Sequence, residues 1–127
     1  HPHILQGLEV FDHRLIAHSL GNFVMDLSYV ETMWTVFLQV DVEENRLEQV
    51  RVIPHFIDRY KPRQARGELG IALLDHLAAL SSVYGTWLLR EPGSDVATIA
   101  LDTTQVIREG TDWLDTLELT SINDYYQ

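Results

Sequence analysis

The chain has 127 residues, no cysteine and a formal net charge of −10. Its length suits one domain, its 46% of hydrophobic residues suffice for a core, and its acidity argues against nucleic acid and anionic membrane surfaces as partners. The lack of cysteine excludes disulfides, thiolate zinc sites and cysteine nucleophiles, and no apolar run approaches the roughly 18 residues of a membrane-spanning segment.

The first predicted elements form a β-hairpin. Apolar runs from Ile4 to Phe11 and from Leu15 to Leu20 flank the polar turn Asp12-His13-Arg14. The turn lacks the Asn-Gly pair that favours two-residue hairpin loops, so the apolar runs alone carry this prediction.

A second hairpin follows. From Thr32 to Val42 apolar residues alternate with period two, which predicts a strand, and Glu43 to Arg46 forms the turn. The return strand runs from Leu47 to Ile53. Pro54 has no N–H to donate to a neighbouring strand, so we expect regular pairing to end there.

One main helix is predicted at about residues 64–82. Leucines spaced by three and four residues define its apolar stripe: Leu69, Leu73, Leu77 and Leu80. Residues 86–90 and 96–101 are expected to be strands around a turn, residues 105–108 are strand or short helix, and alternation at 113–119 favours a strand. The class is therefore α+β, with β-hairpins and one main helix.

The residues with the clearest chemistry are His1 and His3. Neutral imidazoles bind zinc, manganese and iron, and Pro2 stiffens the spacer between them. The alternatives are an ordinary chain terminus, a cloning remnant, or a copper chelate through the terminal amine and ring. Asn22 follows Gly21 after an apolar strand, so it either lines a site or lies in an ordinary turn.

A basic cluster occupies positions 59–66. Arg59, Lys61, Arg63 and Arg66 precede the predicted helix and could bind a phosphate or carboxylate. The alternative is a solvated basic patch that balances an acidic chain. The remaining histidines are expected to pack, pair or lie exposed rather than to bind metal.

Two motifs together resemble a known family. His1-Pro2-His3-Ile4-Leu5-Gln6, followed after the hairpin by Ser19-Leu20-Gly21-Asn22-Phe23-Val24, is similar to the CapA-type proteins of bacterial capsule and poly-γ-glutamate synthesis. The resemblance covers residues 1 to about 85 and is strongest over 1–25. His18 departs from it, standing where the family commonly has Tyr.

The resemblance implies the C-terminal part of a calcineurin-like metallophosphoesterase β-sandwich. It implies that His1 and His3 are metal ligands, that Asn22 lines the site, and that the whole protein holds divalent manganese, zinc or iron. The other ligands would lie in a missing N-terminal part of the same protein. Residues 1–85 would then belong to the CapA-type domain and residues 86–127 to an acidic, β-rich extension packed on it.

Two functions follow from these observations. In the first, the chain is a fragment of a metal-dependent phosphoesterase-like protein of the bacterial cell envelope, and the fragment itself is inactive and need not bind an ion. In the second, it is a non-catalytic binding or assembly module of an envelope protein. If the chain is such a fragment, it lacks part of its central sheet, and the strands within residues 32–53 are expected to expose an edge. We expect the chain to cover this edge by forming a homodimer or by exchanging elements.

Overall fold

The computed structural model describes residues 1–25 and 27–102. In chain order the elements are β1 (Leu8–Phe11), β2 (Arg14–Ala17), a 3₁₀ helix (Val30–Met33), β3 (Trp34–Glu43), β4 (Arg46–Asp58), β5 (Lys61–Gln64), α1 (Gly67–Ser82), β6 (Leu88–Leu89) and β7 (Ala97–Ile99). The predicted α+β class and the main helix are confirmed. The helix begins three residues later than the predicted start, because Gln64 belongs to β5.

The strands form two antiparallel sheets. β1 pairs with β2, and the larger sheet has the order β3-β4-β7-β6, with β5 also paired to β4. α1 contacts β1, β4 and β6. Leu73 and Leu77 of its predicted stripe are buried together with Leu74, Leu80 is partly buried, and Leu69 in the first turn is exposed. Aliphatic side chains from the strands and the helix build one core, which includes Leu8, Val36, Val50, Val52, Leu73, Leu77, Leu88 and Ile99.

The prediction that pairing ends at Pro54 is wrong. β4 continues to Asp58, and Pro54 lies opposite Val36 of β3. The carbonyl of Pro54 accepts a hydrogen bond from the Ala65 N–H on the side away from β3. Because the N–H and C=O of one strand residue point to the same side, the missing donor of Pro54 also faces away from β3. The β3–β4 ladder therefore loses no bond at this position.

In each of the three hairpins, a tight two-residue turn connects the two strands. Both central residues of each turn have positive φ, as in Asp12 at 48° and His13 at 58°. This is the left-handed pattern that matches the twist of paired strands and usually selects Asn-Gly or Asp-Gly. The corresponding residues of the other two turns are Glu44 and Asn45, and Arg59 and Tyr60.

The small hairpin is attached to the end of the helix by side chains. The Leu8 N–H donates to Ser81 Oγ at 2.9 Å, and the Val10 N–H donates to Thr86 Oγ1 at 3.0 Å. Both acceptors are buried. The outer edge of β1 is therefore satisfied by the helix C-terminus and the residues after it, which sets the position of the N-terminal segment.

Residues after the helix join the larger sheet. β7 pairs with β4 through Arg51–Thr98 and Val52–Ala97, and β6 pairs with β7. The division at residue 85 stays a prediction, and the elements expected at 105–108 and 113–119 lie outside the described residues. Within residues 1–25 and 27–102, no helix combines the length and apolarity needed to cross a bilayer.

Candidate metal centre

Two segments distant in sequence lie side by side at the N-terminus. Leu5 forms an isolated bridge with Leu20, and the Gln6 N–H donates to the Ser19 carbonyl at 3.0 Å. Ser19 Oγ donates to the Ile4 carbonyl at 2.7 Å and accepts from the Gly21 N–H at 3.1 Å. These bonds bring the histidine segment against the residues that precede Asn22.

Gly21 is the residue that lets Asn22 reach this position. Its φ is +77°, and a Cβ at this site would lie 2.6 Å from the Trp34 carbonyl oxygen. A side chain here is thus opposed both by the backbone conformation and by the neighbouring strand. Thr35 Oγ1 also donates to the Leu20 carbonyl at 2.8 Å, which fixes the same segment against β3.

A hydrogen-bonded chain connects the predicted site residues. His1 Nδ1 lies 2.8 Å from His3 Nε2, and His3 Nδ1 lies 2.7 Å from Asn22 Oδ1. Asn22 is buried, and its Nδ2 donates to the Thr32 carbonyl at 3.0 Å. The structure thus brings His1, His3 and Asn22 together, in spite of the 19 positions that separate His3 from Asn22.

The chain of bonds sets the tautomer of His3. Because the Asn22 amide nitrogen faces a carbonyl, its oxygen must face His3, and an amide oxygen can only accept. His3 Nδ1 therefore carries the proton, and in the neutral ring Nε2 keeps the lone pair. An outer partner that holds one ring nitrogen protonated while the other faces a metal is the usual arrangement around histidine ligands.

The donor set fits a divalent ion in part. Two nitrogens that bind one ion at about 2.0–2.1 Å lie roughly 3 Å apart, which is close to the separation of His1 Nδ1 and His3 Nε2. Imidazole nitrogens suit zinc, manganese and iron. However, no group of three or more His, Asp or Glu residues that could hold a metal occurs among the described residues. Residues 1–25 and 27–102 therefore offer part of a metal site.

The other histidines have partners elsewhere. His18 Nε2 lies 2.9 Å from Glu9 Oε2, and its ring stacks on Tyr84. His55 stacks on Phe37 at 3.9 Å, His76 packs edge-on against Trp34, and His13 lies exposed in a turn. Asp26, another conceivable ligand, lies outside the described residues. Thr32 also belongs to the site, but it could not be predicted from the sequence, because it contributes its backbone carbonyl, which every residue type has.

Comparison with known proteins confirms the resemblance to the CapA proteins. The chain is 32% identical over 69 residues to the capsule biosynthesis protein CapA of Bacillus anthracis, a match that covers 54% of this chain and 17% of that protein. It is 34% identical over 62 residues to the PGA biosynthesis protein CapA of Bacillus subtilis (strain 168), which covers 49% and 16%. No family model matches the chain. The chain is CapA-like over about half of its length and spans about one sixth of the length of these relatives.

Proposed function

We propose that this chain is part of a capsule or poly-γ-glutamate biosynthesis protein of the bacterial cell envelope, with a metallophosphoesterase-like fold. In this proposal His1 and His3 are ligands of a divalent metal site, and Asn22 orients His3. The observation that carries it is the hydrogen-bonded chain from His1 through His3 to Asn22, in which His3 Nε2 holds a lone pair facing a second imidazole.

The residues of this chain would do three things at such a site. His3 would donate its Nε2 lone pair, His1 would add a second nitrogen, and the buried Asn22 amide would hold the His3 tautomer. A divalent ion, when bound, supplies Lewis acidity and lowers the pKa of a coordinated water. Since a catalytic ion usually has at least three protein ligands, the remaining ligands would come from another part of the whole protein. The isolated chain would therefore not hydrolyse phosphoesters.

Metal titration of the 127-residue chain tests the role of the histidines. We expect Mn²⁺ or Zn²⁺ to bind at one ion per chain in isothermal titration calorimetry. His3→Ala should reduce the affinity at least about tenfold, since loss of a ligand should cost no less than the 10–100-fold that is typical for loss of a ligand's outer partner. His13→Ala, which removes an exposed turn histidine, is the matched control and should bind normally. Equal binding by the His3→Ala variant would contradict the proposal.

The terminal amine of His1 requires a separate control. An amine-and-ring chelate would also be lost in a His1→Ala variant, so the chain should be titrated with its amino group acetylated. Retained affinity assigns binding to the two rings and their Asn22 support. Loss of binding on acetylation would instead favour the terminal chelate.

A second candidate function is a non-catalytic assembly module. The observation that favours it is β3, which ends the order of the larger sheet and has β4 as its one neighbour among the described strands. A chain with no metal affinity that self-associates through β3 would support this function over the first.

A further inference from the structure

Two residues with left-handed backbone flank the contact between His3 and Asn22. The φ of His3 is +56°, and the φ of Gly21, which directly precedes Asn22, is +77°. Pro2 holds a φ near about −65°, and a proline followed by a positive φ is the combination found at the centre of type II turns. The second of these positions usually selects Gly or Asn. His3 has a Cβ, so its conformation needs support from the residues around it.

One hydroxyl group connects the two left-handed residues. Ser19 Oγ donates to the carbonyl of Ile4, the residue after His3, at 2.7 Å. The same oxygen accepts from the Gly21 N–H at 3.1 Å. A serine hydroxyl has one proton to donate and lone pairs to accept with, so it can make both bonds at once. The turn that presents His3 and the turn that presents Asn22 are therefore bridged by a single side chain.

The Ser19 hydroxyl acts closer to His3 than the backbone pairing does. That pairing starts at the Leu5 bridge and continues with the bond from the Gln6 N–H to the Ser19 carbonyl. These contacts align the two segments but begin two residues after His3. The hydroxyl instead holds the Ile4 carbonyl, one residue from His3. Because Ser19 is half-buried, water competes for this bond, and its contribution is moderate.

The ring of His3 tolerates little movement of its backbone. Its Nδ1 lies 2.7 Å from Asn22 Oδ1. Asn22 is buried and its amide nitrogen donates to the Thr32 carbonyl at 3.0 Å, so this amide cannot follow His3 if the turn opens. A displacement of His3 by about 1 Å would stretch the bond past the limit of about 3.5 Å at which hydrogen bonding is lost. The tautomer of His3 therefore depends on a well-fixed turn.

We propose that Ser19 is a positioning residue for His3. Its hydroxyl fixes the left-handed turn and thereby holds the His3 ring on Asn22, with the proton on Nδ1 and the Nε2 lone pair toward His1. Ser19 is not itself a ligand, because its oxygen is already bonded to two backbone groups. The orientation of the ring depends on contacts within this chain alone, whereas its effect on metal binding rests on the proposed function.

Nitrogen-15 NMR of the histidine rings tests this role on the metal-free 127-residue chain. At pH 8.5, where imidazole is neutral, we expect the Nδ1–H tautomer of His3 in the wild type and a mixture of both tautomers in Ser19→Ala. Ser19→Thr keeps the hydroxyl and should restore the wild-type tautomer. Ser82→Ala is the matched control, since it removes a 2.8 Å bond from a hydroxyl to the Ala79 carbonyl elsewhere. An unchanged tautomer in folded Ser19→Ala would overturn the proposal, even if thermal unfolding showed lower stability.

Calorimetric titration with Mn²⁺ and Zn²⁺ tests the consequence for metal binding. We expect Ser19→Ala to weaken binding by about three- to tenfold, less than the 10–100-fold typical for an outer partner in direct contact with a ligand. Ser19→Thr and Ser82→Ala should bind as the wild type does. Equal affinity of Ser19→Ala and the wild type would overturn the effect on metal binding. A wild-type chain that binds neither ion would contradict the proposed function, while the tautomer of His3 would still decide the role of Ser19.

Discussion

Asn22 shows how one buried amide can orient the ring of a half-buried histidine. Its nitrogen donates to the Thr32 carbonyl and its oxygen accepts from His3, so the amide group is held in one orientation. The sequence indicated His1, His3 and Asn22 as candidates from residue type and motif. It could not indicate their contact, because that depends on Leu5 pairing with Leu20 and on Gly21 approaching β3.

Gly21→Ala should disrupt this arrangement more than a comparable change elsewhere. The substitution forces a side chain into a left-handed conformation and against the Trp34 carbonyl, so we expect a loss of about 2–4 kcal/mol in the free energy of unfolding. Gly85→Ala is the control, since Gly85 also has positive φ but has open space around its Cβ position. Urea denaturation should show a smaller loss for Gly85→Ala, and similar losses would argue against the steric contact.

His76 makes the stability of the fold depend on pH. Burial lowers the pKa of His76 below its ordinary value of 6.5, against an opposing effect of Glu31. The unfolded chain therefore binds a proton at a higher pH than the folded chain, so this contribution to stability is complete above about pH 6.5 and declines as the pH falls below it. His76→Gln should reduce the dependence of the urea midpoint on pH between 7.5 and 5.5. An unchanged dependence would contradict this assignment.

At the scale of elements, the small hairpin depends on the end of α1. Ser81→Ala would leave the buried Leu8 N–H without its acceptor, and we expect a loss of about 1–3 kcal/mol in the free energy of unfolding. Ser82→Ala provides the matched control, because Ser82 is exposed and bonds within its own helix. Chemical denaturation should change by less than about 0.5 kcal/mol for Ser82→Ala. Equal effects would mean that the Leu8–Ser81 bond contributes little.

Strand β4 shows where local rules fail. A proline is disfavoured in a paired strand because it lacks a donor, and this rule predicted an end at Pro54. The strand continues because the missing donor faces away from β3, and because β5 pairs with β4 from His55 onward. The side to which a residue's N–H and C=O point depends on strand register, and residue preferences do not specify that register.

At the scale of the whole molecule, the edge of β3 is the feature that predicts self-association. The backbone N–H and C=O of Val36 point away from β4, because the backbone groups of its partner Pro54 point away from β3. By alternation along the strand, the N–H of Val40 also points away from β4. We propose that two copies pair antiparallel through this edge, which keeps the acidic ends of the two strands, including Asp41 and Glu43, apart.

Val40→Pro tests the dimer. The substitution removes an outward donor without removing a β3–β4 bond, so the chain should become monomeric in sedimentation experiments while staying folded. Val40→Thr keeps the N–H and should remain dimeric. A wild-type chain that sediments as a monomer at high concentration would exclude this edge as an interface.

Local patterns in the sequence were enough to predict the kinds of elements, most of the buried leucine face of the helix and the residue types of the candidate site. These follow from local periodicity and from chemistry that each side chain retains in any surroundings. The tertiary structure alone decided that β4 passes through Pro54, that β7 pairs with β4, and that Asn22 holds His3. Each of these depends on register and on contacts between segments distant in sequence, and one residue of register decides which side of a strand a group faces.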